Sequence, residues 1–258
     1  MIFLKVLGGN HMNPDQFVTK VVKAYNNNIG IFSKKVNAED NIPNNLSNKK
    51  VSLYLFYVTQ LDYATKSQSL YKGAKKLYKN NLRFFSPKYI LQIREEELKS
   101  VLQKYLKPRY INEAVLRYKL NSQRLIKVYN GNPLNIFKSS KLAIESLEKV
   151  YKFRGFGPKI GNFYVRTMIN HFRFPYKDIE NIMPPVDIHD VRITYLMQFV
   201  ESKEMNTKNI NKVKRIWNKA CKKSKVSWLI FDKALWILGS EGKPKTKEDI
   251  IRLIHIRS

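Results

Sequence analysis

Leu147-Glu-Lys-Val-Tyr151-Lys-Phe-Arg-Gly155-Phe-Gly157-Pro-Lys159-Ile-Gly-Asn-Phe163-Tyr, followed at Pro184 by Pro-Val-Asp187-Ile-His-Asp-Val-Arg, decides how the chain is read. A glycine hairpin, Gly155-Phe156-Gly157-Pro158, separates two segments of helical pattern. Glycine takes positive φ at little cost and lets a phosphate approach the backbone. Pro158 suits the first turn of a helix, where its missing N–H costs nothing. The free amides of that turn point outward, and the helix dipole favours an anion there. Gly155, Phe156 and Gly157 are therefore candidates for gripping a DNA backbone, with an ordinary helix–turn–helix corner as the alternative. Lys159 follows the hairpin at the start of the second helix, a place that disfavours a cation and so favours the neutral, nucleophilic amine. The plain alternative is one more surface lysine. Asp187 stands 28 positions further on. It is placed to cap the next helix, and an N-cap carboxylate is also a fixed, ionised one.

The chain has 258 residues, enough for a sizeable core and one or two domains. Its 48 Lys+Arg against 20 Asp+Glu leave a net charge of +28. Charge of this size says little about fold, but it favours a polyanionic partner. The competing explanation is a lysine-rich proteome, to which the many Asn and Ile residues also point. The single cysteine, Cys221, rules out a disulfide framework. His11, His171, His189 and His255 lack metal-ligand spacing, so no metal is expected. No apolar run approaches a membrane span, and the opening Met1-Ile-Phe-Leu-Lys-Val-Leu has no basic leader. The expectation is a cytoplasmic protein. Residues 1–11 read as an upstream extension or a tag, with Met12 as the natural start.

From Asn13-Pro14 on, helical patterns follow one another. The first carries Phe17, Val21, Val22 and Tyr25 on one face. Residues 27–50 are polar and read as a loop. Val51–Leu61 is strongly apolar and reads as a buried helix, with a strand as the alternative. Further helices are expected over Ser67–Lys79, from Ser86-Pro87 to Leu106, over 109–129, and from a cap at Ser139 or Ser140 into the hairpin. In the helix after Lys159 the stripe Ile160, Phe163, Tyr164, Met168 and His171 is mostly core. Thr207–Cys221 is a basic amphipathic helix. Ser227–Gly239 is apolar nearly all round and hence buried, with Gly239 at the C′ position. A short last helix starts near Lys247. About ten helices and no alternating strand make the fold class all-α.

A hairpin of the form Gly-x-Gly-x-Lys, then Pro-Val-Asp opening a helix, resembles the helix-hairpin-helix DNA glycosylase superfamily, the endonuclease III and 8-oxoguanine glycosylase group. The motif covers about a fifth of the chain. The resemblance implies a two-lobed fold with the active-site cleft between the lobes. It divides the chain into residues 1–50 as the N-terminal part of lobe 1, 51–172 as the helical lobe ending in the hairpin, and 173–258 as the C-terminal part of lobe 1. It implies that Lys159 is the Schiff-base nucleophile and Asp187 the catalytic carboxylate. The iron–sulfur loop that endonuclease III relatives often carry is missing.

Val213-Lys-Arg-Ile-Trp-Asn, Phe231-Asp232-Lys-Ala-Leu-Trp236-Ile-Leu-Gly239 and the long insertion before Pro185 are similar to the archaeal 8-oxoguanine DNA glycosylase family, as is Leu61–Tyr78 more weakly. By that similarity the pocket for the extruded base is Phe163, Tyr164, Asp232 and Trp236, with Tyr71 where the family has a tryptophan. Asp232 and Trp236 are one turn apart, hence on one face, and a carboxylate on so apolar a helix needs a partner. The plain alternative is a core ion pair and simple packing. The hairpin departs from the archaeal family, whose own is degenerate. The implied activity is excision of 8-oxoguanine and AP lyase cleavage without a cofactor. The implied partner is double-stranded DNA containing a damaged base, bound by a monomer associated with the nucleoid. Other readings are a glycosylase for mismatched thymine or uracil or for alkylated bases, a salvage N-glycosylase for free nucleotides, and a helix-hairpin-helix module that binds without chemistry.

Overall fold

The structure, a computed structural model, describes residues 12–34, 36–63, 65–182 and 185–255. The extension read at residues 1–11 and Pro184 of the Pro-Pro-Val-Asp motif lie outside them. Thirteen α-helices and no strand occur among the described residues. The first six are α1 (Pro14–Asn26), α2 (Asn48–Thr59), α3 (Ser67–Asn80), α4 (Pro87–Gln92), α5 (Glu95–Tyr105) and α6 (Ile111–Tyr129). There follow α7 (Leu134–Lys138), α8 (Ala143–Tyr151), α9 (Pro158–Phe172) and α10 (Ile188–Leu196). Last come α11 (Thr207–Ser224), α12 (Trp228–Ser240) and α13 (Lys247–Ile254). None of these helices is long and apolar enough to cross a membrane.

The helices gather into two compact units. One runs from Lys34 to Asp187; the other joins the segment up to Ser33 to everything from Ile188 on. The breaks therefore fall at 33/34 and 187/188, where the sequence reading has 50/51 and 172/173. Burial explains the difference. Residues 34–50 read as a polar loop, yet Val36, Asn37 and Ala38 are buried and the 3-10 turn Ala38–Asn41 packs on α2, α3 and α9. At the other end, Tyr176 donates to the Phe137 carbonyl at 2.7 Å. The buried Asp178 carboxylate accepts the Ala143 and Ile144 amides at 2.6 and 3.2 Å.

That second contact corrects the expected cap of α8. The helix begins at Ala143, and neither Ser139 nor Ser140 caps it; Ser140 instead donates its hydroxyl to the Ile136 carbonyl. A carboxylate 35 residues away in sequence satisfies the first amides, and the helix dipole favours it there. Asp178→Ala is expected to cost about 1–2 kcal/mol, the usual loss for an N-cap. A urea titration of the two proteins reads it as a lower midpoint.

The unit Lys34–Asp187 is built on α2. Every residue from Val51 to Thr59 is buried, so the helix has no polar face, which is why periodicity leaves helix and strand open. Phe56 lies at its centre, stacked on Phe156 and edge-on to Phe153 and Tyr164. The single helix expected over 87–106 is two, α4 and α5. Ile93 between them is extended, and its carbonyl accepts the Lys119 ammonium at 2.5 Å. Leu91 is consequently exposed rather than on a common apolar face.

The other unit packs α1 on α11 and α12, and α10 on α12. Asn13 and Gln16 form the capping box that starts α1. Phe17, Phe199, Trp217 and Phe231 form one aromatic cluster, and the Trp217 indole donates to the Thr194 hydroxyl at 3.0 Å. Gly239 is not a C′ residue. It lies inside α12, where a Cβ would come within 2.7 Å of His189 Cβ, so its role is the close approach of α10.

Candidate active site

Hairpin residues 152–157 join α8 to α9. Gly155 has φ +82°, and a Cβ there would press on the Arg117 guanidinium at 2.6 Å. The turn is tied to neighbouring helices by side chains that sequence reasoning passed over. Buried Asn121 on α6 accepts the Arg154 amide at 2.8 Å and donates to the Arg154 carbonyl at 3.0 Å. It also donates to the Gln60 side chain at 2.8 Å. Arg117 donates to the Gln60 carbonyl at 2.8 Å, and Glu113 bridges Arg117 and Arg154. The available signal was Gln60, a polar residue closing an apolar run. A rigid turn suits a backbone clamp, since a preformed site loses little freedom on binding.

Of the three backbone-binding candidates, Gly157 is exposed, with nothing within 4 Å of the place a Cβ would take. Phe156 needs correction as an amide donor. Its N–H is spent on the Phe153 carbonyl at 3.2 Å, and its ring is buried beneath the turn. The free donors lie one step on: α9 starts with Pro158, has no side-chain cap, and opens on the Lys159 and Ile160 amides.

Lys159, in the first turn of α9, places its ammonium 3.7 Å from Asp187 Oδ2. That is an ion-pair separation rather than a hydrogen bond. The lysine side chain is 56% exposed and the aspartate 12%, so a fixed, enclosed carboxylate faces a reachable amine. Asp187 immediately precedes α10 in the chain.

A second carboxylate belongs to the same neighbourhood. Asp62, after α2, accepts the Ser67 hydroxyl at 2.7 Å and the Tyr71 hydroxyl. Ser67 and Tyr71 are one turn apart on α3, so both point the same way. Burial raises the Asp62 pKa; the two hydroxyls and the charges of Lys159 and Arg166 oppose that rise. Burial and the Asp62 charge hold the Tyr71 phenol protonated, well above its usual range. Tyr71 is 2% exposed, so it presents little ring surface and acts here chiefly through its hydroxyl. Phe163, one turn after Lys159, lies half-buried with the Arg166 guanidinium 4.9 Å from its ring centre.

Tyr164 departs from expectation. It is fully buried, enclosed by Phe56, Phe137 and Phe156, and has no ring face open to a base. It is a packing residue. Periodicity cannot separate it from Phe163, because adjacent positions on a helix face differ by 100° and only the neighbours decide which one is covered. Its hydroxyl is buried without a hydrogen-bond partner among the described residues. Tyr164→Phe is therefore expected to leave stability unchanged or raise it by about 1 kcal/mol, because an unsatisfied buried hydroxyl is removed. Thermal melting is the measurement.

Asp232 and Trp236 belong to the other unit, one turn apart on α12. Asp232 is buried, Trp236 half-buried, and the Asp232 charge joins burial in pushing the Cys221 thiol up to about 12. Their part in holding a base rests on the resemblance alone.

Among the described residues no group of three or more His, Cys, Asp or Glu side chains is placed to hold a metal ion. The residues brought together around α9 are thus Lys159, Asp187, Asp62, Tyr71, Phe163 and Arg166. An accessible amine beside an enclosed carboxylate can form and resolve an imine with a carbonyl-level carbon. No family model matches the chain, and no curated protein matches its sequence.

Proposed function

We propose that this chain is a base-excision-repair DNA glycosylase with AP lyase activity, and that 8-oxoguanine in duplex DNA is its substrate. The observation that carries the reading is the pairing of Lys159 with Asp187 at 3.7 Å, directly after a braced glycine hairpin. The finer architecture, a two-lobed helix-hairpin-helix glycosylase fold, belongs to the same proposal. So does the action of a monomer on nucleoid DNA.

The net charge of +28 draws the protein to the phosphate backbone. Gly157 and the first amides of α9 hold one phosphate near the lesion. Excision requires the damaged nucleotide to leave the stack, and Phe163 offers it a ring to lie against. As the base departs, positive charge builds on the sugar. Asp187 stabilises that charge, being fixed and poorly hydrated. The Lys159 amine bonds to C1′, the ring C–O bond opens, and the resulting iminium acidifies the adjacent C2′ hydrogen. Loss of that proton expels the 3′ phosphate by β-elimination.

Borohydride trapping tests the reading. The protein is incubated with labelled duplexes carrying 8-oxoguanine, uracil or a thymine mismatch, and reduced. A covalent adduct on the 8-oxoguanine duplex is expected. An adduct only on uracil or mismatch DNA keeps the chemistry and replaces the substrate. Tight DNA binding with neither adduct nor base release overturns the enzyme reading in favour of a binding module.

A further inference from the structure

We propose that Asp62 is the acid–base partner of Lys159: held by Ser67 and Tyr71, it takes the proton that the lysine must lose before it attacks. The proposal rests on the Schiff-base reading above and adds a residue to it.

The argument begins with a conflict of roles. A carboxylate that has accepted the lysine's proton is neutral, and it no longer stabilises a cationic sugar. Asp187 cannot do both at once. Two carboxylates in different surroundings can divide the tasks. Asp62 has the surroundings for the second one. Its position is set by the turn after α2, where its amide bonds to the Thr59 carbonyl at 3.0 Å. Ser67 and Tyr71 then fix one oxygen each. The carboxylate lies in the field of Lys159 and Arg166, so its charge and the lysine's act on one another. Burial makes it a stronger base than an ordinary aspartate. If Asp62 served only to brace the turn, asparagine would accept the same hydroxyls, and a buried charge facing Lys159 would have no use.

The protons balance. The ammonium of Lys159 gives one proton to Asp62, leaving a neutral amine and a neutral acid. The amine's lone pair forms the bond to C1′ as the bond to the base breaks, and that electron pair leaves with the base. The nitrogen's second proton goes to the departing base. The C1′–O4′ bond then opens, O4′ takes the proton from Asp62, and the nitrogen lone pair completes the iminium. Asp62 ends as the carboxylate it began as.

The groups acting on Asp62 are the Tyr71 phenol, Lys159 and Arg166, with Glu39 acting on Tyr71 and Asp187 paired with Lys159. Tyr71 stays protonated and Arg166 charged throughout the assay range. The experiment is single-turnover borohydride trapping at saturating damaged duplex, from about pH 6 to about pH 9. It compares wild type with Asp62→Asn and Asp62→Ser, alongside melting temperature and DNA affinity.

In wild type the proton passes within the pair, so the rate is nearly flat across neutral pH. In Asp62→Asn the amine must lose its proton to solvent. Its trapping rate is expected to fall about 10- to 100-fold near neutrality, and to recover about tenfold per pH unit as pH rises. Melting temperature and DNA affinity stay unchanged. A wild-type rate and profile in Asp62→Asn overturn the proposal, as does a loss that runs parallel to wild type at every pH. Asp62→Ser is judged by the same slope; if neither variant folds, Asp62 is a structural residue and the proposal falls. Should wild type itself trap nothing on any duplex, the glycosylase–lyase reading fails first.

Discussion

Lys159→Gln is expected to lose the borohydride-trapped adduct and the strand cleavage that follows it, by a factor on the order of 10³ or more. Glutamine keeps the length and polarity of the side chain but has no basic nitrogen to bond to C1′. Stability should hardly change. The lysine is 56% exposed and its ion pair with Asp187 spans 3.7 Å, and exposed pairs of this kind contribute about 0–1 kcal/mol. The variant should therefore melt like the parent and bind duplex with similar affinity. A gel of the reduced reaction reads the outcome. Full strand cleavage by Lys159→Gln would remove the proposed nucleophile. Base release without cleavage would leave a glycosylase whose lyase step depends on Lys159.

The largest loss of stability is expected at Trp217. It is 1% exposed, in contact with Phe17, Phe199 and Phe231, and its indole donates to Thr194. Trp217→Ala opens a cavity among three aromatic rings that cannot close over it, and buried Thr194 loses its donor. The expected cost is about 3–5 kcal/mol. That is a large part of the ~5–15 kcal/mol by which a domain is stable. Trp217→Phe keeps most of the volume and should cost less. Guanidinium titrations of both variants test this; equal midpoints for Trp217→Ala and wild type would mean that the cluster does not support this unit.

The candidate site was partly legible because its chemistry is written in local signals. Gly155-Phe-Gly157-Pro158 must turn, and a helix must start at Pro158, so Lys159 falls in a first turn wherever the rest of the chain goes. Asp187 was found as a carboxylate at a helix start. Asp62 was not found, because nothing local distinguishes it. What makes it part of the site is the approach of α3, which brings Ser67 and Tyr71 to it, and the nearness of Lys159 almost a hundred residues later. The misplaced cap of α8 has the same cause, since Asp178 reaches Ala143 only through the fold.

The sequence by itself determined the helical class, the start of α9, and the charge that directs the chain to a polyanion. Each follows from periodicity, turn chemistry or composition, which act over a few residues or over the whole chain at once. Tertiary structure alone decided that Phe163 is half open while Tyr164 is sealed, that Gly239 serves α10 rather than a helix end, and that a second carboxylate faces the lysine. Those outcomes depend on which neighbours cover a given side of a helix. A pattern 3.6 residues long specifies a face, but it does not specify what comes to lie against it.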